Sequence, residues 1–309
     1  FYLIKFMYKI AIILPTYNSI LWIKEQINSI FNQKDVLVEL FISDDGSCDG
    51  TKKFVTSLSE NNSQVNLIST DVGSGSAGAH FFHMVRNSKI NGFDYVAFCD
   101  HDDIWLPDKL ISAVDILKKS SSDGYSSDVY IFNDNDNVDV DVDVDDMESY
   151  KYSYKQRKYD HFFQTAGPGC TYVFTYKLYL EFLDLVTCND MSKVYAHDWM
   201  IYHHARRLGY LWSIDSTPYI LYRQHCNNEI GVNKGLSAHF KRIEKIRSGW
   251  YRQQILNISS LYSSNPSFIS RLERFNMIDR VLLAFSVTSY RRSFIQSLYL
   301  SVLILFVMK

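Results

Sequence analysis

Tyr95-Val96-Ala97-Phe98-Cys99-Asp100-His101-Asp102-Asp103-Ile104-Trp105-Leu106-Pro107-Asp108-Lys109-Leu110 is the stretch that decides the fold class of this chain. A short apolar run closed by carboxylates predicts a buried strand. Pro107, followed by Leu110, Val114 and Leu117 at helical spacing, predicts a helix that opens just afterwards. The carboxylates therefore fall at the carboxyl edge of a sheet, where open α/β folds bind ligands. Asp100, Asp102 and Asp103 would repel one another there unless a hard divalent cation or a row of hydroxyls shared them. A diphosphate with Mg²⁺ or Mn²⁺ is the occupant such an edge invites. The competing reading is a solvated acidic turn with an Asp as helix cap.

Outward from this stretch the same strand–turn–helix pattern recurs. Lys9 to Leu14 reads as a strand and Ser19 to Phe31 as its helix, with Ser19 as cap. Val36 to Ser43 is the next strand, ending at Asp44-Asp45-Gly46-Ser47, followed by a helix near Thr51 to Leu58 and a strand near Val65 to Ser69. Gly73 to Gly78 opens a helix through Phe81, Phe82, Met84 and Val85. Such alternation predicts a mostly parallel sheet covered by helices on both faces. Three strands then end in polar clusters on one edge: Thr16-Tyr17-Asn18, Asp44-Asp45, and Asp100 to Asp103. Solvation alone is a poor explanation for that convergence.

The second half adds a strand near Thr171 to Thr175 after Gly167-Pro168-Gly169-Cys170, and a helix through Leu178, Leu180, Phe182 and Leu183. A polar junction, Ala196-His197-Asp198-Trp199, precedes another strand, Tyr219 to Tyr222, which runs into Arg223-Gln224-His225. Residues 133–149 are Asn/Asp-rich, and the face of like charges in Val138 to Asp145 opposes strand pairing, so an acidic loop or insertion is expected there. From Ser237 onward helical periodicity rich in Arg and Lys takes over. The expected division is an α/β domain over 1–234 and a C-terminal helical region over 235–309.

A formal net charge of −2 over 309 residues gives no basic excess for nucleic acid. Five scattered cysteines, an odd number, fit a reducing compartment, and the reading is cytoplasmic. The apolar opening, Phe1 to Leu14, lacks a small-residue cleavage site and is read as a first strand behind a short leader, with Met7 as a candidate start. Leu298 to Met308 falls short of the roughly 20 residues a spanning helix needs. With Arg291 and Arg292 before it, the expectation is an interfacial helix touching the inner face of the membrane, against a core or oligomer-contact helix.

Ala11 to Asn18, Ile42 to Thr51, Phe98 to Leu110, His197-Asp198-Trp199 and Tyr222 to His225, in this order, resemble the motifs of family-two glycosyltransferases of the GT-A fold. The chain looks most like the bacterial rhamnosyltransferase-type enzymes of surface-polysaccharide assembly, over roughly residues 8 to 230. The resemblance implies a GT-A, Rossmann-like central sheet flanked by helices. It also implies a nucleoside-diphosphate sugar donor and a lipid-linked saccharide acceptor.

Backbone groups near Pro15 and Tyr17 can hold a pyrimidine, with the Tyr17 ring either packing on it or serving as core. Asp44 can accept the base N3 hydrogen, the role of the matching residue in the family. Arg86 matches a family position on the nucleotide side, an exposed surface Arg being the alternative. Asp100-His101-Asp102 matches the family's DXD motif, with Asp100 facing ribose or a metal-bound water and Asp102 ligating Mn²⁺ or Mg²⁺. His101 stands where Gln is usual. His225 matches the late His that completes the metal site, and Arg223 a diphosphate contact; Cys226 stands where Gly is frequent. Gly169 lies in the loop that approaches donor sugar and acceptor, where glycine admits backbone contact. Asp198 matches the general base of inverting members. Trp199 is a sugar platform or core.

The implied activity is metal-dependent inverting transfer of a sugar, with rhamnose from dTDP-rhamnose the best reading. A UDP-hexose or UDP-N-acetylhexosamine donor is the alternative. A non-catalytic nucleotide-sugar-binding subunit is disfavoured by the survival of Asp102, Asp198 and His225. A nicotinamide-dependent oxidoreductase would need a glycine fingerprint after the first strand, where Pro15-Thr16-Tyr17-Asn18 stands.

Overall fold

The computed structural model describes residues 7–70, 73–133, 144, 147–225 and 243–309. Most of the acidic stretch 133–149, Cys226, the leader before Met7 and the 234/235 boundary lie outside the described residues. The chain divides into two compact units: one of residues 1–153, 166–190 and 196–228, the other of 154–165, 191–195 and 229–309. Segments 154–165 and 191–195, placed in the α/β domain on sequence grounds, thus belong to the second unit.

The first unit is built on a seven-stranded sheet of β1 (Tyr8–Thr16), β2 (Val36–Asp44), β3 (Val65–Leu67), β4 (Tyr95–Phe98), β6 (Gly124–Ser127), β9 (Val173–Thr175) and β10 (Trp212–Asp215), in the order β10-β6-β9-β4-β1-β2-β3. β9 pairs antiparallel with both of its neighbours, and every other pairing is parallel. Ile10 to Leu14 are fully buried, as a central parallel strand covered on both faces requires. The covering helices include α1 (Ile23–Phe31), α2 (Thr51–Asn61), α3 (Ala77–Asn87), α4 (Lys109–Ser120), α5 (Tyr176–Cys188) and α6 (His197–Leu208). α1 buries Ile23, Ile27 and Ile30 on one face and exposes Lys24, Glu25 and Asn28 on the other. Ser19 does not cap it through its hydroxyl. Its carbonyl instead accepts from Trp22 and Ile23 across a tight turn, and the helix opens at Ile23.

A second sheet of four strands, β5 (Ile104–Trp105), β11 (Ile220–Gln224), β7 (Val129–Asn133) and β8 (Ser149–Tyr150), runs in the order β5-β11-β7-β8. β11 lies antiparallel to β5, with Leu221 opposite Ile104. This pairing brings the end of β11 back beside the acidic turn after β4.

In the second unit, α7 (Trp250–Ser260), α8 (Ser267–Arg274), α9 (Met277–Phe285) and α10 (Phe294–Phe306) gather an aromatic core. Phe163 stacks on Tyr290 with ring centroids 4.4 Å apart, and Phe268 meets Phe162 edge-on at 5.0 Å. The Ser301 hydroxyl donates to the Ala284 carbonyl at 3.1 Å and Arg280 reaches the Leu305 carbonyl at 3.5 Å, so α9 and α10 pack antiparallel. No helix among the described residues is long and apolar enough to cross a membrane.

Candidate active site

Register alone collects the three polar turns. Thr16 pairs with Asp44 at the ends of β1 and β2, the Asp45 N–H donates to the Thr16 carbonyl at 2.9 Å, and the Cys99 N–H donates to Ile13 at 3.0 Å. The strands thereby end side by side on the carboxyl edge.

Asp44 is 8% exposed and organises the turn after β2, the first wall of the candidate site. Its Oδ1 accepts from the N–H groups of Gly46 (3.2 Å) and Ser47 (2.9 Å). Its Oδ2 accepts from the hydroxyls of Ser47 (2.5 Å) and Thr16 (3.2 Å). Asp45 holds Ser74 through N–H and hydroxyl at 2.6 and 2.7 Å, fixing the turn before α3. Pro15 is buried, while the Tyr17 ring beside it is 55% exposed and free of the core.

The β5–β11 pairing assembles the second wall. The Arg223 N–H donates to Asp103 Oδ1 at 3.1 Å, its Nε to the Asp102 carbonyl at 2.8 Å, and its Nη2 to Glu25 Oε2 at 2.5 Å. Arg223 thus fixes the backbone of the acidic turn. His225 Nε2 lies 2.8 Å from Asp102 Oδ2, and its ring stacks on Trp22 at 4.0 Å with a 14° interplanar angle. Burial pushes the Asp102 carboxyl up, but His101 together with the hydrogen bond and charge of His225 outweigh it and hold the group below its ordinary value.

Behind the turn lies a buried layer. Burial, reinforced by Asp102 and Asp100, pushes the Asp103 carboxyl well up, and burial raises the Cys99 and Cys170 thiols likewise. The Lys109 ammonium sits over the Trp105 ring, 3.5 Å from its centroid, and burial lowers its pKa to about 8.

Gly169 and α6 form the third wall. A Cβ on Gly169 would lie 2.8 Å from His197 Nε2 and 3.1 Å from Asp198 Cβ, so only glycine fits. His197 stacks on Phe81 with centroids 3.5 Å apart, and burial alone lowers its pKa to about 3, leaving a neutral ring wedged under the loop. Ala196 is the N-cap, so Asp198 stands in the first turn of α6 rather than capping it. Its Oδ1 accepts from the Trp199 N–H at 2.7 Å.

The neighbour of Gly169, Cys170, places its sulfur within 4.8 Å of ligand atoms of Asp100 and Asp103, so one short loop links the acidic turn to Asp198. Three expected site residues are engaged elsewhere: Arg223, expected as a diphosphate contact, is buried with its guanidinium on Glu25 and the Asp102 carbonyl. The Arg86 guanidinium donates to the carbonyls of Val186 (2.7 and 2.9 Å) and Asn189 (3.0 Å), tying α3 to the end of α5. Trp199 is 6% exposed, which makes it part of the packed face of α6 rather than an open platform. Trp22 and Glu25 escaped the sequence reading. Their positions in the helix after the first motif were the available signal.

Two donor sets near the turn could be asked to hold a cation. Asp100, Asp103 and Cys170 converge, but a protonated thiol and a carboxyl pushed toward its neutral form suit a hard cation poorly. Asp102 and His225 fit better. Their donor atoms are 2.8 Å apart, close to the separation of roughly 3 Å between adjacent ligands of an octahedral ion. Imidazole with carboxylate oxygen is a set that Mn²⁺ accepts.

Residues 11–183 match the sequence profile of Glycosyl transferase family 2. The chain belongs to that family. It is 34% identical over 298 residues to the dTDP-rhamnosyl transferase RfbG of Shigella flexneri, an alignment covering 94% of this chain and 99% of RfbG. Over 116 residues it is 33% identical to an Escherichia coli UDP-Glc:alpha-D-GlcNAc-diphosphoundecaprenol beta-1,3-glucosyltransferase, WfgD, covering 37% of this chain and 43% of WfgD. Among solved structures, TarS of S. aureus with UDP-GlcNAc superposes with a TM-score of 0.55 at 17% identity, covering 92% of this chain and 74% of that one. The mannosyltransferase PcManGT of Pyrobaculum calidifontis, with GDP-Man and Mn²⁺, gives 0.53 at 16% identity, covering 92% and 73%. The fold of this family-two glycosyltransferase is thus GT-A, and C-terminal helices are present.

Proposed function

We propose that this glycosyltransferase moves rhamnose from dTDP-rhamnose, with inversion and with a divalent cation, onto a lipid-linked saccharide of a bacterial surface polysaccharide, working at the inner face of the membrane. The observation that carries the donor is the end-to-end relation to RfbG, a dTDP-rhamnosyl transferase. The site geometry supports the chemistry.

The Pro15–Asn18 turn and the Asp44 turn receive the pyrimidine, with the Tyr17 ring available to pack on it. Asp44 already spends lone pairs on its own loop, so it accepts a further base N–H through the acceptor capacity left to a carboxylate. Asp100 faces the ribose side, and Arg223 holds the acidic turn in place from below. Asp102 and His225 would hold Mn²⁺ or Mg²⁺, which when bound supplies positive charge to the departing diphosphate.

Asp198 takes the proton from the acceptor hydroxyl as that oxygen attacks the anomeric carbon from the face opposite the nucleotide; the sugar–phosphate bond breaks and the nucleoside diphosphate leaves. Gly169 lets the loop backbone close over that carboxylate.

Calorimetric titration of dTDP, UDP, GDP and ADP, each with and without Mn²⁺, tests this reading. Metal-dependent binding that favours dTDP is the expected result. The partial relation to WfgD, a UDP-Glc enzyme, favours a second reading with a UDP-hexose donor, and a preference for UDP would select it. Absence of binding to all four would leave a non-catalytic scaffold subunit.

A further inference from the structure

α9 and α10 each bury one stripe and leave another apolar stripe in water. On α9 the outward residues are Met277, Ile278, Val281, Leu282 and Phe285; on α10 they are Phe294, Ile295, Leu298, Tyr299, Val302 and Phe306. Ile278, Phe285, Ile295 and Phe306 are 72, 85, 78 and 79% exposed, values far from those of an ordinary packed helix pair. The spacing i, i+1, i+4, i+5, i+8 puts each set on one helical face. Two adjacent stripes of this size exceed the scattered apolar residues of a normal surface and mark an interaction site.

Charge selects the occupant. Residues 243–309 carry nine Lys and Arg against three Asp and Glu, a net +6 in a chain whose total is −2. The remainder of the chain is therefore acidic at −8, and the positive charge is concentrated in the segment that holds the apolar face. A second copy would bring two +6 segments together, which like-charge repulsion opposes. Arg292 is buried against Asp160 and Arg274 is paired with Asp279, but Lys245, Arg247 and Lys309 are exposed. An anionic bilayer accepts both features, the exposed basic side chains at its headgroups and the apolar side chains below them. α10 has no charged residue, and its 13 residues span about 20 Å, well short of a hydrocarbon core of about 30 Å. It is built to lie in the interface plane.

We propose that the α9–α10 face is a docking surface for an anionic lipid bilayer. The inference gives the proposed lipid-linked acceptor reading a physical surface and rests on it for its purpose, but its test is separate. The full chain is sedimented with vesicles of phosphatidylcholine alone and of phosphatidylcholine with phosphatidylglycerol, at low and high salt, and compared with the double variant Phe285→Glu/Ile295→Glu. Both side chains are exposed and belong to the second compact unit, outside the residues proposed to carry the chemistry, and an unchanged far-UV circular dichroism spectrum and denaturant melt check the folding of the variant.

The wild type is expected to partition onto the anionic vesicles, to release at high salt, and to lose at least about tenfold in partition coefficient on double substitution, since each change withdraws a large apolar group from the interface. Equal partition of wild type and variant overturns the proposal. So does a wild type that ignores vesicles but forms a dimer, by light scattering, that the variant does not form. A chain that docks on vesicles yet binds no nucleotide upholds the surface while the donor reading fails.

Discussion

Gly169 and Asp198 touch so closely that a single methyl group cannot be placed between them: a Cβ on Gly169 would stand 3.1 Å from Asp198 Cβ and 2.8 Å from His197 Nε2. His197 cannot yield readily, being stacked on Phe81. Gly169→Ala is therefore expected to displace the start of α6, lowering stability by about 1–3 kcal/mol through overpacking. Transfer should fall by more than tenfold, because a base moved by about an ångström loses its alignment. Denaturant melts and transfer rates on the same variant check both numbers. Wild-type turnover would separate the loop from the function of Asp198.

Asp102 and His225 are expected to act as one unit. Asp102→Ala and His225→Ala should each weaken nucleotide binding at least about tenfold in the presence of Mn²⁺ and have little effect without it, because each removes a ligand to the cation. Titrations that respond identically with and without metal would assign the pair a purely structural role.

Arg86 provides a contrast. With its donors on the Val186 and Asn189 carbonyls, Arg86→Ala should cost about 1 kcal/mol of stability by leaving the partly buried Val186 carbonyl without these bonds, with dTDP affinity unchanged. A loss of affinity at unchanged stability would return Arg86 to the nucleotide.

Lys109 gives the fold a pH dependence whose sign follows from its lowered pKa of about 8. Above the ordinary lysine value the amine is neutral in both states and no penalty arises. As pH falls from about 10.5 to 8, the unfolded chain takes up the proton first, so stability drops, by up to about 3 kcal/mol, and the loss stays constant below 8. Relative to Lys109→Met, the wild type should gain stability between pH 8 and 10 in denaturant titrations. Parallel curves would show that the ammonium is solvated.

The parallel core of the fold was legible because β1, β2 and β4 are continuous apolar runs closed by turn chemistry, and their ends named Tyr17, Asp44, Asp100 and Asp102 as neighbours. β6 and β10 were not legible, because Gly-Tyr-Ser-Ser buries two hydroxyls and Trp-Ser-Ile-Asp buries only Trp212. Ser126 is buried by accepting from Trp212 Nε1 and donating to the Ala166 carbonyl, both at 3.1 Å, a satisfaction that composition does not reveal. The stacking of Trp22 under His225 and the anchoring of Arg223 on Glu25 depend on β11 returning beside β5, a long-range pairing with no local signal. The same reason hid the engagement of Arg86, since its partners lie about a hundred residues away.

Asp198→Asn, assayed for transfer of labelled sugar from dTDP-rhamnose to lipid-extractable acceptor in bacterial membranes alongside calorimetric dTDP binding, tests the central claim most directly. Substitution removes the proton acceptor and keeps the shape, so transfer is expected to fall by about 10²-fold or more with dTDP affinity within about twofold of wild type. Transfer at the wild-type rate by the Asn variant would contradict the assignment of Asp198 as the base.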